Sequence, residues 1–180
     1  YGPNILSQSA TGGSGLPDYT TGKLGITNSA LSFVAASHDV IKINGTDGFT
    51  PLADTKISIE AWVYTTAFNA NRFVLAMVGT GHSLGLATFS TVGLELYVDS
   101  NTETLYIPLA SISDSNWHRI VGTIDATAGI LYLDGSQNTT GTLVASPSLT
   151  LNALEIGAAQ SQGGFYWNGK IAEVRISSIV

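Results

Sequence analysis

The chain has 180 residues, with 20 glycines, 5 prolines, no cysteine and only 11% charged residues. That length suits one all-β domain with a sizeable core, and the lack of cysteine excludes disulfides and thiolate metal sites while leaving the compartment open. The net charge of −6 and the scattered Lys and Arg argue against nucleic acid, which needs clustered cations, and no apolar run reaches the length of a membrane span.

Residues 1–22 hold Gly12-Gly13-Ser14-Gly15 and Pro17 with little periodicity, the composition of a flexible arm or linker. There is no initiator Met and no basic region before an apolar core, so no signal peptide is read here. The arm is either a mature terminus or a tether to a larger protein or particle. The remaining residues, 23–180, read as one domain.

From Ala30 onward the strand signals come at short intervals. Val40 to Asn44 is followed by the turn pairs Asn44-Gly45 and Asp47-Gly48. In Lys56 to Thr65 the alternation is regular: Ile57, Ile59, Ala61 and Val63 face one way, and Ser58, Glu60, Trp62 and Tyr64 the other. Arg72 to Val78, Ser83 to Phe89, Leu94 to Val98 and Leu105 to Leu109 follow. Asn116 to Gly135 reads as a hairpin, with arms Trp117–Ile124 and Ile130–Leu133 joined by Asp125 to Gly129. Thr142–Ala145, Leu149–Leu151, Ala153–Gly157 and Trp167–Ile176 complete the set. No window has helical periodicity with caps. Short strands at this spacing predict an antiparallel two-sheet β-sandwich.

Three pieces carry a family resemblance. The Trp117-His118 strand closing on Tyr132-Leu133-Asp134-Gly135, the strand KISIEAWVY over 56–64, and WNGKIAEVRI over 167–176 resemble the laminin-G-like, concanavalin-A-like jelly-roll family. Ala30 to Ile43 matches more loosely, so the resemblance covers about residues 24–180 in the family's order. It implies a jelly roll. Its functions are diverse, and many laminin-G-like domains hold calcium at the sandwich rim through carboxylates and carbonyls. Two carboxylates of the family pattern are missing, because Val34 and Ala172 stand where Asp is frequent. The metal candidates that remain are Asp39, Asp47 and Asp99. The reading favours no cofactor over calcium.

Catalysis finds no support in the residues. Glucanases of this fold use a Glu-x-Asp-x-x-Glu strand, and the nearest approach here is Glu95 with Asp99. The three histidines, His38, His82 and His118, lie in no nucleophile motif and in no zinc-like cluster. His118 is expected to be a buried histidine with its hydrogen bonds satisfied. Trp62, Trp117 and Trp167 are expected in the core, and Glu173 and Arg175 in structural ion pairs.

Binding chemistry falls to the loops, since strand residues are committed to pairing and packing. Asn69, Asn71 and Arg72 form one polar group, His82 a second, and Gln160, Gln162 and Tyr166 a third. Amides, a guanidinium and an exposed ring suit sugar hydroxyls and ring faces. The expectation is a non-catalytic recognition or adhesion module. It would bind glycan or cell-surface polysaccharide through these loops, on a bacterial surface or phage virion. The alternative is a structural virion decoration or fibre domain whose contacts are with capsid or tail proteins or with itself.

Overall fold

In a computed structural model, residues 16–44, 56–66, 70–79, 83–89, 93–98, 105–142, 151–159 and 164–178 are described. They form thirteen strands: β1 Asp18–Thr20, β2 Ala30–Phe33, β3 Ile41–Asn44, β4 Lys56–Tyr64, β5 Arg72–Gly79, β6 Ser83–Phe89, β7 Gly93–Val98, β8 Tyr106–Pro108, β9 Trp117–Asp125, β10 Ala128–Leu133, β11 Ser136–Thr142, β12 Leu151–Ile156 and β13 Gly169–Ser177. A seven-stranded sheet runs β1-β2-β13-β4-β9-β10-β11, and a six-stranded sheet runs β3-β12-β5-β6-β7-β8. Every pairing is antiparallel. This is the jelly-roll sandwich.

The period-2 pattern decides which side chains lie between the sheets. Ile57, Ile59, Ala61 and Val63 of β4 are 0% exposed and meet Leu75, Leu86 and Leu96 of the facing sheet in one core. Trp167 is also 0% exposed in that core. Trp62 and Trp117 are not in it. They point to the outer side of the seven-stranded sheet and are half-buried, because the inner faces are taken by Ile57, Ile59, Ala61 and Val63 on β4 and by His118, Ile120, Gly122 and Ile124 on β9. Lys23 Nζ sits 3.7 Å over the Trp62 ring, and Trp117 leans on Tyr64 at 5.8 Å. Each ring is thus shielded by a neighbour rather than enclosed, which corrects the expectation for two of the three tryptophans.

The six-stranded sheet is buried on both faces. Phe73, Ala76, Val78, Ala87, Tyr97, Ala153 and Ala159 form a second apolar cluster on its outer side. Glu155 is buried in the same sheet and pairs with Lys42 of the adjacent strand at 3.0 Å.

Two strands fall outside the sequence expectation. β1 lies within the stretch read as an arm and pairs with β2 through three residues. β11 follows a two-residue turn in which Asp134 and Gly135 both have positive φ, 51° and 84°, the geometry that matches strand twist. The β9–β10 turn is likewise tighter than expected, with Ala126 at φ 53°. On β13 a bulge between Ala172 and Arg175 places Glu173 at φ 50°. Glu173 there pairs with Lys23 at 2.9 Å, and Arg175 approaches Glu60 at 4.0 Å. Glu60 takes its closer bond from Arg119, 2.8 Å away, and that hydrogen bond holds its carboxyl below the ordinary value against the opposing effect of burial. These charges latch neighbouring strands from outside.

Candidate functional site

One end of the sandwich gathers chain segments far apart in sequence. β2 ends there, β5 begins there, and the segment joining β12 to β13 passes between them. Gly157 ties that segment down: its N–H donates to the Val74 carbonyl at 2.8 Å, and its carbonyl accepts from Trp167 N–H at 2.7 Å. Ala159 and Gly164 bridge each other. Phe165 then returns to the sheet, its carbonyl accepting from Phe73 N–H at 2.9 Å.

These bonds set Tyr166 in place. Arg72 Nη1 donates to the Tyr166 carbonyl at 2.8 Å, and burial lowers the Arg72 pKa from its ordinary value. The guanidinium remains charged at neutral pH. The Tyr166 ring stacks on His38, with centroids 4.5 Å apart and planes 22° from parallel. A Cβ on Gly164 would sit 3.0 Å from that ring, and Gly164 has φ 105°, so glycine is what lets the ring lie there. His38 itself is left-handed at φ 59°, its N–H donating to the Ala35 carbonyl. The His38 ring is exposed and the Tyr166 ring half-buried.

Around the stack stand further polar and aromatic groups. Asn71 is exposed, Phe165 is 37% exposed, and the Asn168 side-chain oxygen accepts from Ala35 N–H at 3.4 Å. The Asp39 carboxylate accepts from Val34 N–H at 2.7 Å and is buried, so it closes the loop that carries His38. The arrangement is an aromatic surface with amide and imidazole edges, suited to stacking and hydrogen bonding.

Of the residues chosen from sequence, Asp39, Asn71, Arg72 and Tyr166 come to this end. Arg72 acts from beneath, as the support of Tyr166, and not as an outward contact. Asn69, His82, Gln160, Gln162, Asp47 and Asp99 lie outside the described residues. The strand ends nevertheless limit the grouping. Gly79 and Ser83 flank the His82 turn, and Val78 pairs with Ser83 while Arg72 pairs with Thr88. Gly79 and Ser83 therefore lie at the end opposite Tyr166. Asn44 and Val98, which lead to Asp47 and Asp99, are also at that opposite end, whereas Asp39 precedes β3. Among the described residues no three His, Cys, Asp or Glu side chains are grouped to hold a metal ion. Phe165 belongs to the same loop group as Tyr166, His38 was weighed only for zinc and for nucleophile chemistry, and Asn168 was given no role from sequence.

His118, at the same end, is a structural clasp. Its Nδ1 is 2.8 Å from Asp134 and its Nε2 2.9 Å from Asp114. Neutral imidazole has one N–H, so only the imidazolium donates to both carboxylates. Burial opposes the charge, but the two carboxylates outweigh it and raise the His118 pKa above 6.5. Asp114 is held down to about 2, first by the Asn116 side chain and then by His118. A raised histidine pKa gives stability that is complete below 6.5 and lost as pH rises through the folded value. A depressed carboxyl gives stability that is present above 3.8 and lost as pH falls towards about 2. Melting temperature compared between the parent and His118→Gln should therefore differ most between pH 3.8 and 6.5, and the difference should shrink as pH rises above 6.5. A difference that grows with alkalinity would refute the clasp.

The comparisons with known proteins agree with the architecture. The profile of the Concanavalin A-like lectin/glucanases superfamily, in its laminin-G form, matches residues 36–180. No curated protein sequence matches the chain. Domain 4 of AbnA, a GH43 extracellular arabinanase from Geobacillus stearothermophilus solved in complex with arabinotriose, is similar at TM-score 0.64 and 19% identity, covering 90% of this chain and 75% of that one. Mouse laminin alpha1 domains LG4-5 give 0.65 and 13%, covering 98% and 47%. Tailspike protein 2 of an Escherichia coli O157:H7 bacteriophage gives 0.64 and 16%, covering 91% and 24%. The chain thus spans about half of the laminin fragment and about a quarter of the tailspike. With the family profile covering most of its length, the chain belongs to the Concanavalin A-like lectin/glucanases superfamily.

Proposed function

We propose that this domain is a non-catalytic recognition module that binds glycan at the Tyr166 end of the sandwich, outside a cell or on a virion. The observation that carries the reading is the His38–Tyr166 stack, held from below by Arg72 and flanked by Asn71 and Phe165. A sugar ring needs a flat apolar face with planar hydrogen-bonding groups beside it, and a surface ordered before binding avoids the entropic cost of forming one. The arabinotriose complex of the AbnA domain and the tailspike and laminin likenesses support the class of partner without naming the sugar. A calcium requirement is not part of the proposal, because Asp39 is engaged by the Val34 amide.

A glycan array should give hits that survive a chelator, and Tyr166→Ala should weaken them by about 10- to 100-fold, the loss of one stacking contact. Asn71→Ala should weaken them less. Arg72→Ala should weaken them and also lower the melting temperature, since it releases the Tyr166 backbone. Hits lost on chelation would return Asp39 to the metal candidates. An array without hits would favour the structural alternative. Leu16, Tyr19, Leu24 and Ile26, 48 to 74% exposed near β1, are the feature on which a protein partner in a virion would rest.

A further inference from the structure

Among the described residues, the sandwich does not close along one edge. Inward-facing residues in its middle, such as Ile59, Leu75, Leu86 and Leu96, are 0% exposed. At the edge where β1, β2 and β13 face β3 and β12, Leu31, Ile41, Ile156 and Val174 point inward and are only half-buried. Between them lies a cavity of about 270 Å³. The cleft is open to solvent at Tyr19, Asn28 and Glu173, and an apolar cavity of about 150 Å³ already suffices to take up benzene.

The walls and the mouth differ in chemistry. Phe33, Ile43 and Ile171 supply buried apolar walls from both sheets, and Glu173 is the one charged side chain among the described lining residues. Tyr19, Asn28 and Glu173 line the cavity as well. Tyr19 is exposed at the edge strand, Asn28 is exposed, and Glu173 is already paired with Lys23 at 2.9 Å. The polar side therefore offers a phenol and an amide for hydrogen bonding and no unbalanced charge.

We propose that this edge cavity binds a small amphiphile: a linear alkyl chain between the sheets, with an uncharged hydroxyl-type head at Tyr19 and Asn28. The site is distinct from the Tyr166 end. It requires no sugar, so it stands or falls separately from glycan binding. Bulk added to the wall should exclude the chain. Val174→Trp from one sheet and Ile156→Phe from the other each fill the same space.

The test is a titration of the full chain with N-phenyl-1-naphthylamine, followed by displacement with hexanol, octanol and decanol. The probe should fluoresce on binding. Displacement should strengthen about fourfold per added methylene and then level off as the cavity fills. Val174→Trp should keep or raise the melting temperature and weaken probe binding at least tenfold. Should that variant fail to fold, Ile156→Phe replaces it, and the chain-length series on the parent is independent of both. No probe fluorescence with the parent, no dependence on chain length, or full binding by a folded filled variant would each overturn the proposal.

Discussion

Trp167→Ala should lower stability by about 3–5 kcal/mol, a fall in Tm on the order of 10 °C for a chain of this size. The ring is 0% exposed in the main core, so its removal leaves a cavity that neighbours on both sheets fill only in part. Trp62→Ala and Trp117→Ala should cost far less, roughly 1–2 kcal/mol, because these rings are half-buried on the outer face and lose one cation–π or aromatic contact each. Thermal melts of the three variants give the order directly. Equal losses at all three positions would mean that the outer face of the seven-stranded sheet is covered in solution.

Gly157→Ala is the second large effect expected. Gly157 has φ 83°, and a Cβ there would run into the ring of Phe33. Left-handed strain and overpacking each cost on the order of 1–3 kcal/mol, so the two together should cost roughly 2–5 kcal/mol. The damage should also reach the Tyr166 surface, since Gly157 holds both Val74 and Trp167 through its backbone. A variant that melts with the parent would show that Phe33 moves aside and that the knot at this end is looser than described. Phe33→Leu combined with Gly157→Ala separates the two contributions, because it removes the collision and leaves the strain.

How far the sequence reveals this molecule depends on which force decides each feature. β4 and the Trp117 hairpin were legible because their alternation commits one face to a core. The same alternation already placed Trp62 with Glu60 and Trp117 with Arg119 on the other face, yet ring size argued for burial. In the structure, period prevails over hydrophobicity. β11, Ser136 to Thr142, escaped notice because it is a polar edge strand with no buried face. Its only signal was the Asp134-Gly135 turn. The pairing of Arg72 with Tyr166, 94 residues apart, has no local signature at all. Nor does the approach of His38, whose left-handed backbone is set by the loop that Asp39 closes. Loop chemistry was legible as composition, and its convergence only as topology.

Amide chemical-shift mapping locates the proposed glycan surface on the molecule. The ¹⁵N-labelled domain, titrated with the strongest oligosaccharide from the array, should show perturbations clustered on His38, Asn71, Gly164, Phe165, Tyr166 and Asn168, with the same pattern in chelator. Shifts centred instead on Trp62, Arg119 and Lys170, across the outer face of the seven-stranded sheet, would contradict the account, as would saturable binding that leaves the His38 and Tyr166 amides unmoved.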